Sequence, residues 1–130
     1  MIQRLITLIT ALFVTTFAVA GEKFPTISHA ELKQAVAEKE VVLLDVNGSE
    51  TYAKGHIPGA VDFTAKADNL SKVLPADKDA LIVAYCGNER CGAYARAAEA
   101  ARKLGYKNVR HYAPGIAGWK SAGETVEKSS

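Results

Sequence analysis

ALIVAYCGNERCGAYAR, residues 80–96, decides how this chain is read. Ala80 to Tyr85 is a continuous apolar run, without the alternation of a half-exposed strand. Such a run marks a strand covered on both faces, as in a parallel sheet. Cys86-Gly-Asn-Glu-Arg-Cys91 then turns polar and loop-forming. Gly92 to Leu104 reads as a helix with Ala95, Ala98, Ala101 and Leu104 on or near one face and Gly105 as its stop. Strand, loop and helix start are joined by a segment that holds both cysteines of the chain.

Outward from that stretch the alternation continues. Val41-Val-Leu-Leu-Asp-Val46 is a second buried strand, and Ala60-Val-Asp-Phe63 and Val109-Arg-His-Tyr112 are shorter ones. Ser28 is expected to cap a helix through about Lys39, with Glu31 reaching back in a capping box. Ser49 is expected to cap a short helix through Lys54. Ala67 to Leu74 and Ile116 to Ala122 supply two more helices, and Gly55-His-Ile-Pro-Gly59 and Pro114-Gly115 are turns. Strands alternating with helices make an α/β domain with a mostly parallel sheet. Ligands of open parallel sheets sit at the carboxyl ends of strands, and Cys86 stands at such an end.

Residues 1–20 read as a signal peptide. Met1 to Arg4 carries one positive charge, Leu5 to Val19 is uncharged and mostly apolar, and Ala18-Val19-Ala20 is a small-x-small cleavage site. The apolar run is shorter than the ~20 residues of a spanning helix. The expectation is one domain over 21–130, periplasmic or secreted, with no membrane attachment after cleavage. Lys and Arg number 16 against 14 Asp and Glu, a net charge of +2. That balance makes no electrostatic case for nucleic acid or an anionic membrane surface as a partner.

A cysteine pair in an exported chain tends toward a disulfide; it also serves as a redox dithiol, or as one nucleophile with a neighbour. Two cysteines do not complete a zinc site, and His29, His56 and His111 lie elsewhere, so neither metal nor cofactor is expected. Gly87 permits a tight turn and Asn88 a left-handed backbone. Successive N–H groups in such a loop form an anion nest, and a helix start adds unpaired N–H groups and its dipole. Cys86 opens the loop, so its own thiolate is the natural anion there, favoured by the helix start and by Arg90; the alternative is a buried, inert cysteine. Gly87, Asn88, Glu89, Arg90, Cys91 and Gly92 make up that candidate anion nest.

With these residues in view, the chain resembles the rhodanese family over about Thr26 to Glu127. Val42-Leu-Leu-Asp-Val46 is similar to the family's first strand. Glu50-Thr-Tyr-Ala-Lys-Gly-His-Ile-Pro-Gly-Ala60 is similar to its E-x-Y-x-x-G-H-I-P-G-A segment. Ile82-Val-Ala-Tyr-Cys86, Leu104-Gly-Tyr-Lys-Asn-Val109 and Pro114-Gly-Ile-Ala-Gly-Trp119 follow in the family's order. The resemblance implies a three-layer fold, with about five strands in a mostly parallel sheet flanked by helices. It also implies a sulfurtransferase in which Cys86 takes the sulfane sulfur of thiosulfate or a persulfide. A thiol, cyanide or a sulfur-accepting protein then removes it from the Cys86 persulfide.

The resemblance also sharpens the departures. Rhodanese-like phosphatases have a loop one residue longer, with Arg six positions after the cysteine; here that position is Gly92, which favours sulfur over phosphate. Asn47 stands where the family usually has Arg, and Arg90 or Arg96 is left to compensate. Cys91 is open between a small loop filler and a switch that attacks a Cys86 persulfide, releasing sulfide and leaving a disulfide. A disulfide requires Cα atoms about 4.4–6.8 Å apart. A non-catalytic sulfur-binding or partner-docking module is the competing function; a Cys86/Cys91 dithiol oxidoreductase lacks the expected C-x-x-C spacing. Asp45 reads as a loop brace, His56 as a hydrogen-bonding turn residue, Trp119 as packing, and Tyr52 and Tyr94 as candidates to line the pocket.

Overall fold

A computed structural model describes residues 24–129; the signal segment expected over 1–20 lies outside them. Among the described residues no helix is long and apolar enough to cross a membrane. The elements run α1 (His29–Glu38), β1 (Val42–Asp45), α2 (Ser49–Lys54), β2 (Val61–Asp62), α3 (Phe63–Lys66), α4 (Leu70–Val73), β3 (Ile82–Tyr85), α5 (Tyr94–Lys103), β4 (Val109–His111) and α6 (Gly115–Ser121). The strands pair in the order β2-β1-β3-β4, and every pair is parallel. Among the described residues four strands form, not about five. At the edge where a fifth would lie, Thr26 makes only an isolated parallel bridge to His111. Pro25 beside it accepts from the His111 N–H but has no N–H of its own to extend a ladder.

The sheet is buried on both faces, as the two continuous apolar runs require. Leu44, Val46, Ile82 and Ala84 point into one core with Phe63 of α3, Leu70 of α4 and Ala97, Ala98 and Ala101 of α5. Leu43, Val83 and Tyr85 point into the other with Leu32 of α1 and Ile116 and Trp119 of α6. Three small alanines let α5 lie close on the sheet. Its C-terminus closes as the glycine predicts: Gly105 takes φ +96°, and the Gly105 and Tyr106 N–H groups donate to the carbonyls of Arg102 (2.9 Å) and Ala101 (3.3 Å).

Local signals were overridden where tertiary partners compete. Ser28 Oγ caps α1 by accepting from the Glu31 N–H (3.1 Å), but the Glu31 carboxylate does not reach back. It accepts from Arg110 instead (3.0 Å), so half the capping box is given to a tie between α1 and β4. Ser49 is the first residue of α2, and Gly48 holds the cap position. The helix expected over 67–74 starts earlier, at Phe63, capped by Asp62, and is interrupted by a 3-10 turn over Ala67–Asn69. The helix after the cysteine loop begins at Tyr94, two residues beyond Gly92, with no side-chain cap.

Candidate active site

β3 ends at Tyr85 in the centre of the sheet, and Cys86 follows it, only 2% exposed. The strand end is braced from three sides by one buried network. The Tyr85 hydroxyl donates to Asp45 Oδ2 (2.7 Å) and accepts from the Ile57 N–H (3.1 Å). Asp45 Oδ1 accepts from the Asn47 N–H (2.8 Å). Asp45 is fully buried; burial raises its pKa, opposed by the Tyr85 and Asn47 hydrogen bonds. Burial and the neighbouring Asp45 carboxylate push the Tyr85 phenol far up, so Tyr85 stays a donor. Asp45 is thus the brace its sequence position suggested.

The loop itself is held by α6. The Ile116 N–H donates to the Cys86 carbonyl (2.9 Å) and the Ala117 N–H to the Gly87 carbonyl (3.0 Å). Gly115 makes this docking possible: a Cβ there would lie 2.5 Å from the Cys86 carbonyl oxygen and 2.8 Å from the Gly87 carbonyl carbon, at φ +63°. The sequence marks Pro114-Gly115 as a turn, and only the fold brings it against Cys86. The only local signal was a Pro-Gly pair just past a strand.

Asn88 does not use the left-handed backbone open to it; among the described non-glycine residues only Lys39 has positive φ. Asn88 shapes the loop through its side chain, with Oδ1 accepting from the Arg90 N–H (2.9 Å) and its carbonyl from the Cys91 N–H (3.2 Å). The N–H groups of Gly87 and Glu89 make no hydrogen bond among the described residues. Asn88, Glu89 and Arg90 are exposed and, with Pro114, Ala117, Gly118 and Ser121, line a groove of about 380 Å³. Gly92 is exposed at the loop's far end, and Arg96 is exposed on α5.

The two cysteine sulfurs are joined in a disulfide, with Cα atoms 6.2 Å apart. Cys86 Sγ also lies 3.3 Å from the Cys91 carbonyl oxygen. The loop thus brings Cys86 and Cys91 together, while of the expected nest only Asn88, Glu89 and Arg90 line the groove; Gly87, Cys91 and Gly92 do not, nor does Cys86. Asn47 stands against the loop, its Oδ1 3.5 Å from where a Gly87 Cβ would be, and its buried Nδ2 has no hydrogen-bond partner among the described residues.

The other candidates are occupied in structure. Tyr52 donates to the Ala60 carbonyl (2.6 Å) and stacks on His56 at 3.8 Å. Tyr94 stacks on His111 at 3.4 Å. His56 donates from Nδ1 to the Tyr52 carbonyl (2.8 Å), and Trp119 donates from Nε1 to that of Thr125 (2.9 Å). Among the described residues no group of three or more His, Cys, Asp or Glu side chains is placed to hold a metal ion.

Compared with known proteins, residues 28–122 match the family model described as Rhodanese-like domain. The chain is 36% identical to an HTH-type transcriptional regulator of Mycobacterium tuberculosis, over 86% of this chain and 49% of that protein, so it spans about half that relative's length. It is 31% identical to human thiosulfate:glutathione sulfurtransferase, over 73% of this chain and 92% of the relative. Among solved structures, the rhodanese-like domain of an Anabaena protein superposes with TM-score 0.64 at 27% identity, covering 80% of this chain and 79% of that one.

Proposed function

The chain belongs to the rhodanese-like domain family, and from that premise we propose that it is an exported sulfurtransferase with Cys86 as nucleophile. The observation that carries the reading is the placement of Cys86 at the carboxyl end of a central parallel strand, followed by a loop with unpaired N–H groups. A sulfurtransferase relative supports the same class. The reduced Cys86 thiolate attacks the outer sulfur of thiosulfate, the sulfur–sulfur bond breaks, and sulfite leaves. The sulfur stays on Cys86 as a persulfide whose terminal negative charge is met by the loop N–H groups. A thiol or cyanide removes it and frees the thiolate. Asn88, Glu89 and Arg90 form the binding wall, with Arg90 the cation nearest the loop.

A transcriptional regulator among the relatives favours a second reading, in which the unit holds sulfur for a partner and does not turn over small acceptors. Intact mass after reduction, desalting and incubation with thiosulfate tests both. One sulfur gained by the wild type or by Cys91→Ser and absent in Cys86→Ser is the expected result, and thiocyanate release on adding cyanide marks turnover. No adduct from thiosulfate or an organic persulfide sinks the sulfurtransferase reading; an adduct without turnover selects the docking module. Export is tested by fractionating cells expressing the full chain, with the expected product shortened at Ala20.

A further inference from the structure

Cys91 is not needed for sulfur transfer to an outside acceptor, yet the loop delivers it to Cys86. The Asn88 turn holds it there, through the Arg90 and Cys91 N–H groups, and α6 fixes the other end by pinning the carbonyls of Cys86 and Gly87. The 6.2 Å Cα separation lies inside the range that disulfides span. A cysteine so placed reaches the inner sulfur of a Cys86 persulfide without rearranging the fold, and does so at the effective concentration of an intramolecular group. Cys86 itself is almost fully buried, whereas Cys91 is half-buried.

We propose that the protein is a sulfide-releasing persulfide reductase, in which Cys91 resolves the Cys86 persulfide internally. The step rests on the sulfurtransferase reading above. The Cys91 sulfur attacks Cys86 Sγ and a new bond joins the two. The bond from Cys86 Sγ to the outer sulfur breaks, and the outer sulfur leaves with the electron pair and the Cys91 proton as hydrosulfide. The sulfane sulfur is reduced, both cysteine sulfurs are oxidised, and no other oxidant enters. The product is the cross-linked loop seen here. An external dithiol returns it to the reduced state, and until then Cys86 is capped and accepts no sulfur. The pair is therefore both resolving step and redox gate.

The experiment uses the exported chain without its leader, reduced, desalted and kept anaerobic, with thiosulfate and no other thiol. Wild type is expected to release about one sulfide per protein, as the stoichiometry of a single thiol–disulfide exchange requires, and to end two hydrogens lighter. Cys91→Ser is expected to keep the added sulfur and release no sulfide, with Cys91→Ala as a second variant and circular dichroism as the check on folding. A wild type that keeps its added sulfur as Cys91→Ser does overturns the proposal and leaves the sulfurtransferase reading standing. If neither protein takes up sulfur from thiosulfate or an organic persulfide, both fall.

Discussion

Asp45 is a carboxylate that folding removes from water, and its neighbours only partly offset the loss. Its folded pKa is raised chiefly by burial. The folded state therefore holds the proton to higher pH than the unfolded state does, so the stabilising linkage is full below the unfolded pKa. It is lost as pH rises through the folded one. The expected outcome is that wild-type stability, relative to Asp45→Asn, falls as pH rises above the ordinary aspartate range of about 4, read by urea unfolding across a pH series. Tyr85→Phe removes the hydroxyl that serves both Asp45 and Ile57, and is expected to cost about 1–3 kcal/mol by leaving buried polar groups unpaired. Gly115→Ala acts on the backbone, because the clash is with carbonyl groups that cannot swing away. Its positive φ alone costs about 1–2 kcal/mol in a residue with a Cβ, and the clash adds to it. The expected result is a lower Tm together with lost sulfur uptake.

The cysteine loop acts as one element because a single asparagine organises it. Asn88→Ala removes the acceptor for the Arg90 N–H and loosens the turn that presents Cys91. The disulfide is then expected to form more slowly on oxidation, measured by quenching free thiols over time. Helix α1 depends on its cap in the same way: Ser28→Ala is expected to cost about 1 kcal/mol in urea unfolding. Ser28 lies outside the cysteine loop and α6, so sulfur uptake is expected to be retained. Serine followed by glutamate three residues on was legible as a helix start. The glutamate's real partner was not, because Arg110 is 79 residues away and meets it only when β4 joins the sheet.

For the whole molecule, the redox state of the loop is a stability variable. A cross-link closing so short a loop restricts the unfolded chain by about 2 kcal/mol in the loop-entropy account. Oxidised protein is expected to unfold at higher urea than reduced protein, with no such difference in the Cys86→Ser/Cys91→Ser double variant. The C-terminal segment also ties distant parts together. Glu127 exchanges both backbone hydrogen bonds with His56, at 2.9 Å each, and Thr125 accepts from Trp119. Truncation after Ala122 is expected to lower Tm by removing them. Neither apolar periodicity nor turn chemistry in this polar tail announces an isolated bridge.

What the sequence determined by itself was written in local pattern. The apolar runs 41–46 and 80–85 specify central parallel strands, Gly105 ends α5, and the polar turn after Tyr85 sets Cys86 at a strand end. These follow from side-chain periodicity and backbone chemistry within a few residues. The structure alone decided which distant groups meet. It brought Gly115 against the Cys86 carbonyl, left Asn47 Nδ2 buried against the loop without a partner among the described residues, gave Glu31 to Arg110, and stopped the sheet at four strands. Even the meeting of Cys86 and Cys91, five residues apart, was undecided. A loop's end-to-end distance depends on all the dihedrals between, and here those are imposed by α6 and the Asn88 side chain rather than by the residues' own preferences.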